Sequence, residues 1–278
     1  MPCIIKNYQK LLNLNHLSEA VKVDSMKQLL AFLASADFNQ SPPALGREIH
    51  RMIRRTLGDS DPYRDIKVQY NQLILDMYAD LRKKIVASKN PFYTALKLAV
   101  AGNAIDFGSQ HQPDVMQILK SLEQITPAID DSEYLQRDLK NARHLLYIGD
   151  NCGEIVFDKL FLENIAVPTQ YFVVRIGPVV NDVTREDATA VGMEEVAKII
   201  SNGDDAPGVV WDSASTEFKN MYYNADVIIA KGQGNFEGLS HTPGNIYFLF
   251  IVKCDLIARK LGVQPGDFII QRKVHNDS

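Results

Sequence analysis

Asp150 and Asn151 close the apolar run "HLLYIGD" and stand just ahead of Gly153. A carboxylate beside an amide at the end of such a run is a pair of hard oxygen donors. Two more polar stretches follow the next apolar runs: "NDVTREDA", residues 181–188, after "TQYFVVRIG", and "KGQGNFEG", residues 231–238, at the end of "ADVIIAKG". In open α/β sheets ligands bind beyond the carboxyl ends of the strands, so three such ends define one neighbourhood. A carboxylate, an amide oxygen and a second carboxylate suit Mg²⁺ or Mn²⁺, with waters and a substrate phosphate completing an octahedron. The second carboxylate is Asp182, Glu186 or Asp187, since all three follow the same run. A structural reading competes: "NDVTREDA" is a helix start, with Asp182 or Thr184 as cap and Glu186 or Asp187 facing the helix dipole.

In "KGQGNFEG", Lys231 precedes Gly232 and Gly234, and their small size frees backbone N–H groups up to Asn235 to approach an anion. That is a phosphate cradle by mechanism, although neither the P-loop pattern nor G-x-G-x-x-G is matched. A tight turn with a snorkelling lysine is the structural alternative. Cys152 reads as a small residue in a turn, because a cysteine phosphatase needs an Arg about six residues on and Asp158 stands there. Six scattered histidines, with no H-E-x-x-H and no paired C-x-x-C, give zinc little support.

The elements that must position these groups change period near residue 140. Before it, apolar residues recur every three or four positions. After "DSDPYRD" the stripe is Ile66, Tyr70, Leu73, Ile74, Met77, Tyr78, Leu81 and Ile85, which predicts one long helix. Similar stripes in "SEAVKVDSMKQLLAFLASA", "PPALGREIHRMIRRTL" and "NPFYTALKLAVAGNAIDFG" predict an all-helical region over residues 1–140. From 141 to 278 short Leu/Ile/Val runs ("HLLYIGD", "TQYFVVRIG", "GVVWD", "ADVIIAKG") alternate with helical stretches such as "EIVFDKLFLEN" and "REDATAVGMEEVAKII". Alternation of that kind predicts an α/β core with a mainly parallel sheet covered on both faces.

Composition narrows the partners. The chain has 278 residues, 46% of them apolar and 23% charged, the balance of a globular protein. A net charge of −4 offers no basic excess for nucleic acid, while a small anionic ligand needs only a local positive site. The longest apolar stretch, "NIYFLFIVKCDLIA", is broken by Lys253 and Asp255, so no membrane span is expected. A short polar N-terminus and three widely spaced cysteines fit a cytoplasmic, reducing setting.

Together, "GDNCGEIVFD", "NDVTREDA" and "KGQGNFE" in that order, with "DPY" at 61–63 and "AGNAIDFG" at 101–108, resemble the DUF89 family, the damage-control phosphatases or ARMT1-like metal-binding domain, in its compact prokaryotic form. The resemblance covers about residues 60–240 and implies a helical region packed on a Rossmann-like three-layer core. It implies a phosphatase dependent on a divalent metal (Mn²⁺, Mg²⁺, Co²⁺ or Ni²⁺) that hydrolyses phosphomonoesters of small metabolites. By the same resemblance Asp150, Asn151 and, from the D-x-x-x-x-D pattern of "DVTRED", Asp187 hold the metal. It also implies that Lys231 contacts phosphate and that Asn103 and Asp106 reach the mouth of the site; the loop amides from Gly232 through Gly234 to Asn235 would add to the phosphate contact by mechanism. Glu154, Asp182 or Glu186 can orient the nucleophile, which is either water or a carboxylate such as Asp150. One departure stands out: close relatives often begin with a C-x-x-C pair, and here Cys3 is followed by Ile4, Ile5 and Lys6. Two other classes remain open on the residues, an S-adenosylmethionine-dependent methyltransferase using "GDNCGE" as its cofactor loop and a non-catalytic module that holds an anionic metabolite.

Overall fold

A computed structural model describes residues 5, 8–9, 11–13, 17–103 and 126–273, so Cys3 and Asp106 lie outside the described residues. The helical region contributes α1 (Glu19–Ser35), α2 (Pro42–Leu57), α3 (Arg64–Leu75), α4 (Tyr78–Ala87) and α5 (Pro91–Gly102). Local chemistry sets their ends. Ser18 and Asn90 accept from the backbone N–H groups of Val21 and Tyr93, Pro91 occupies the first turn of α5, and Gly58 ends α2 in the left-handed conformation.

The stripe that predicts one helix over 61–85 is split in two. Met77 N bonds to Ile74 O, a three-residue step that tightens the chain between α3 and α4. The tighter step rotates the second segment, so Leu81 and Ile85 rejoin Tyr70 and Ile74 in the core while Leu73 is left exposed.

The sheet begins earlier than residue 141. β1 (Ile129–Asp130) and α6 (Ser132–Asn141) precede β2 (His144–Ile148), α7 (Glu154–Glu163), β3 (Thr169–Val174), α8 (Arg185–Ala190) and β4 (Lys198–Ser201). There follow α9 (Thr216–Asn224), β5 (Val227–Lys231), α10 (Gly232–Leu239), β6 (Ile246–Ile251), α11 (Asp255–Leu261) and β7 (Phe268–Arg272). The strand order is β1-β7-β6-β5-β2-β3-β4, parallel except for the β6–β7 pair. Because β2 lies between β3 and β5, the chain reverses its winding direction there, and the crevice beyond β2 and β5 is the topological switch point. Ile148 is level with Val173 and with Ala230, so the segments after β2, β3 and β5 emerge side by side.

Alternation along β2 sends Leu145 and Tyr147 to one face and Leu146 and Ile148 to the other. The first face shares a cluster with Tyr70, Ile74, Leu96 and Ala99 of the helical region and with Phe157 and Leu160 of α7; the second packs on Phe218, Phe236 and Phe248. The helical region therefore completes one layer of the three-layer core. Only its first part keeps a small core apart, formed by Tyr8, Leu12, Leu29, Leu33, Ile49, Met52 and Ile53.

"GVVWD" is not a strand. Val209 and Val210 are buried in a loop against α10, and the strand position is taken by β4, which the periodicity assigned to the end of a helix. Gly192, at φ 68°, ends the helix and a single 3₁₀ turn at Met193–Glu195 leads into β4, so α8 is only six residues long. No helix among the described residues is long and apolar enough to cross a membrane.

Candidate active site

The site is assembled at the switch point. After β2 the chain turns through Gly153, at φ 76°, into α7, and Gly153 N donates to Asn71 Oδ1 of α3 at 2.5 Å. The turn is zipped to the segment after β3: Val183 N donates to Asp150 O and Cys152 N to Asn181 O, both at 2.9 Å, and Asn151 bridges Asp182. Three sequence-predicted groups thus converge, Asp150, Asn151 and Asp182.

Asp150 Oδ2 accepts from the side-chain amides of Asn103 at 3.0 Å and Asn151 at 2.7 Å, and no ion pair reaches this carboxylate among the described residues. Burial, and then the charges of Glu154 and Asp182, push its pKa up to about 7, with Lys253 and Arg175 opposing. Asp182 is raised for the same first reason, with Arg175 pulling back. Gly232, at φ 79°, lies against this carboxylate so closely that a Cβ there would sit 1.9 Å from Asp150 Oδ2. No other residue fits that position, and the glycine lets the start of α10 approach the acid.

Asn103 arrives at the site from the end of α5 as expected, 1% exposed, with Oδ1 accepting from Ile251 N and Nδ2 donating to Asp150 and to Glu154 Oε2 at 3.1 Å. Glu154 is fully buried and its carboxylate is used up by Asn103, Asn151 and Lys231, so it orients neighbours and not a nucleophile. The side chain of Glu186 is 89% exposed, and its ion pair is with Arg64.

Two expectations are corrected. Lys231 does not face a phosphate: it is 0% exposed, and its ammonium donates to Ala99 O at 2.7 Å, Glu154 Oε1 at 2.5 Å and Asp158 Oδ1 at 2.6 Å. Burial opposes its charge, and the two carboxylates outweigh burial, holding its pKa above the ordinary lysine value. It forms the floor of the site, where Asp158, itself pushed up to about 7 chiefly by burial, also accepts from Tyr147 Oη at 2.6 Å. Asp187 is the N3 member of a capping box: its Oδ2 accepts from Thr184 N at 2.9 Å, Thr184 Oγ1 at 2.7 Å and Lys67 Nζ at 3.0 Å. Lys67 is buried and also pairs with Asp61 of the "DPY" motif at 2.7 Å, which explains that motif as a brace between α3 and α8. Asp187 is thus committed to the helix start and to Lys67, and Asp182 is the acid that bridges Asn151 beside Asp150.

Asn235 also works structurally, donating to Gly149 O and Lys231 O and accepting from Val209 N and Arg175. Gly234 is pressed on Pro207 O, which a Cβ would approach to 2.7 Å. Two groups to which the sequence assigns no role stand beside these acids. Arg175 is buried against Asp182, and the exposed Lys253, after β6, lowers the pKa values of both Asp150 and Asp182. Cys152 is buried, and burial pushes its thiol well above the usual range, so it is no nucleophile.

Among the described residues no three His, Cys, Asp or Glu side chains form a metal-holding group, so a site here depends on an amide. Asp150, Asn151 and Asp182 meet that condition. They are hard oxygen donors, Asn151 Oδ1 accepts no bond from the described residues, and Asp150 is in no ion pair with them. The set fits a small divalent cation.

The raised carboxylates carry a sign. A group whose folded pKa lies above its unfolded value of about 4 stabilises the fold fully below that value, and the contribution is lost as pH rises through the folded pKa. His50, pushed down to about 4 by burial, titrates with the opposite sign in the same window, so a difference between two proteins isolates Asp150. In EDTA, Asp150→Asn is expected to match the wild type most closely near pH 4 and to gain on it by on the order of 1–3 kcal/mol at pH 8. Denaturant melts at the two pH values measure this; equal stability at pH 8 contradicts the crowding of carboxylates.

A mostly parallel α/β protein with an acid–amide cluster at its switch point places polar groups where sheets of this kind bind ligands. Residues 1–269 match the model of the damage-control phosphatase ARMT1-like domain, and the chain belongs to that family. A damage-control phosphatase from Pyrococcus horikoshii is 36% identical over 251 residues, covering 88% of this chain and 86% of the relative. One from Archaeoglobus fulgidus is 32% identical over 254 residues, with coverages of 88% and 86%. The crystal structure of a DUF89 family protein from P. horikoshii superposes with a TM-score of 0.88 at 33% identity, covering 98% of this chain and 97% of that one.

Proposed function

We propose that this protein is a divalent-metal-dependent phosphatase that hydrolyses phosphomonoesters of small metabolites. The observation that carries the reading is Asp150: a carboxylate at the topological switch point, without an ion pair among the described residues, beside two further oxygen donors and under the free amides of α10. The names of the relatives from P. horikoshii and A. fulgidus support the phosphatase part of it.

Asp150, Asn151 and Asp182 would hold the ion, which when bound supplies positive charge against the transferring phosphoryl group. Lys253 is the exposed cation at the mouth and takes the phosphate-facing role that Lys231 cannot. The opening amides of α10 add the positive end of a helix on the same side. Asn103 and Asn151 hold the Asp150 carboxylate by two hydrogen bonds, which favours its service as a ligand and leaves attack to water.

The test is phosphate release by the purified chain from p-nitrophenyl phosphate and a panel of phosphometabolites, with Mn²⁺, Mg²⁺, Co²⁺ or Ni²⁺ added in turn. Release that depends on the metal and stops in EDTA is expected. Release from none of these substrates with any metal overturns the enzyme and leaves a binding module.

A further inference from the structure

Arg175, the residue after β3, is 1% exposed, and its guanidinium lies where three strand ends meet. Nε donates to Asp182 Oδ2 at 2.8 Å; Nη2 donates to Asn235 Oδ1 at 3.2 Å and, at 3.4 Å, to Gly149 O. Those acceptors belong to the segment after β3, to α10 and to the end of β2. The backbone of Arg175 is tied to the same place, its N–H donating to Val183 O at 2.9 Å. Asn235 closes the figure by donating to Gly149 O at 3.2 Å. Nη1 is buried and finds no acceptor among the described residues. A donor left in that state is costly, so the other three bonds must hold the guanidinium in place.

We infer that Arg175 is a positioning residue whose planar fork holds the Asp182 carboxylate and the Asn235 amide in register against the end of β2, and so sets where the third metal oxygen stands relative to Asp150. The inference rests on the reading of Asp182 as a ligand. Charge and shape make opposite demands, which separates this role from a plain salt bridge. As a charge alone, Arg175 competes with a cation, and removing it tightens metal binding. As a fork, it orients a ligand, and both its removal and its replacement by Lys, which keeps the charge and loses the planar donors, weaken binding.

Mn²⁺ binding followed by electron paramagnetic resonance on the full chain decides between them. Arg175→Lys and Arg175→Gln are both expected to lose roughly tenfold or more in Mn²⁺ affinity, in the range of ligand-orienting partners elsewhere. Wild-type affinity in Arg175→Lys, or tighter binding in Arg175→Gln, overturns the inference and leaves the metal reading standing. Should the wild type itself bind no Mn²⁺, the proposed function fails and the metal-orienting role with it, and hydrogen exchange on the metal-free protein then decides only whether the fork ties these segments together. Faster exchange in residues 179–184 and 232–236 of Arg175→Gln supports the tie, and unchanged exchange overturns it. If neither Arg175 variant folds, Asn235→Ala, which removes one acceptor of the fork, is expected to weaken Mn²⁺ binding severalfold, and unchanged affinity overturns the inference.

Discussion

Asp182→Asn is expected to lower metal-dependent phosphate release by on the order of 100-fold or more, because it removes a charged oxygen from the ion's surroundings and leaves Arg175 buried opposite an amide. Asp187→Ala is expected to do the reverse. It deletes the acceptor of the capping box and one of the two carboxylates on buried Lys67, at a cost to stability of roughly 1–2 kcal/mol, with release kept within about tenfold at temperatures where the variant is folded. Initial rates at saturating Mn²⁺ together with urea melts read both effects. The opposite pattern, loss of activity in Asp187→Ala with Asp182→Asn near normal, restores Asp187 as the ligand.

The second large effect concerns the floor. Lys231→Met leaves Glu154 and Asp158 facing each other inside the protein without their shared cation, a change that costs about 3–5 kcal/mol when a buried pair is broken. The penalty has a pH slope. Without the ammonium Asp158, already pushed up to about 7 chiefly by burial, holds its proton to still higher pH in the fold, so stability is kept at low pH and lost as pH rises through that raised value. A larger deficit at pH 8 than at pH 5 in chemical denaturation is the expected result. If Lys231 instead served the phosphate, stability would hold and only KM and kcat would change.

Much of this site could be read from residue order. Asp150 and Asn151 end an apolar run, and Gly153 and Gly232 mark turns that need left-handed backbone; Asn103, expected at the mouth, is instead buried against Asp150 and Glu154. What escaped was partnership across the fold. Lys231 follows four apolar residues and reads as a strand-end lysine, because its partners lie 77 and 73 residues away. A signal was present in α7: Glu154 and Asp158 stand four apart in a helix whose other residues are mostly apolar, so a buried cation had to face them. Asp182 and Asp187 could not be ranked by spacing, since a D-x-x-x-x-D pattern serves a ligand and a capping box equally well. The swap between β4 and "GVVWD" has a similar cause. Both are short apolar runs, and only the break at Gly192 and the packing of Val209 on α10 decide which pairs with β3.

The anomalous difference map of a crystal grown with Mn²⁺ tests the central claim most directly. One strong peak is expected among the side-chain oxygens of Asp150, Asn151 and Asp182, beside the start of α10. A peak held by Asp187, or Mn²⁺ bound only away from the strand ends, contradicts it.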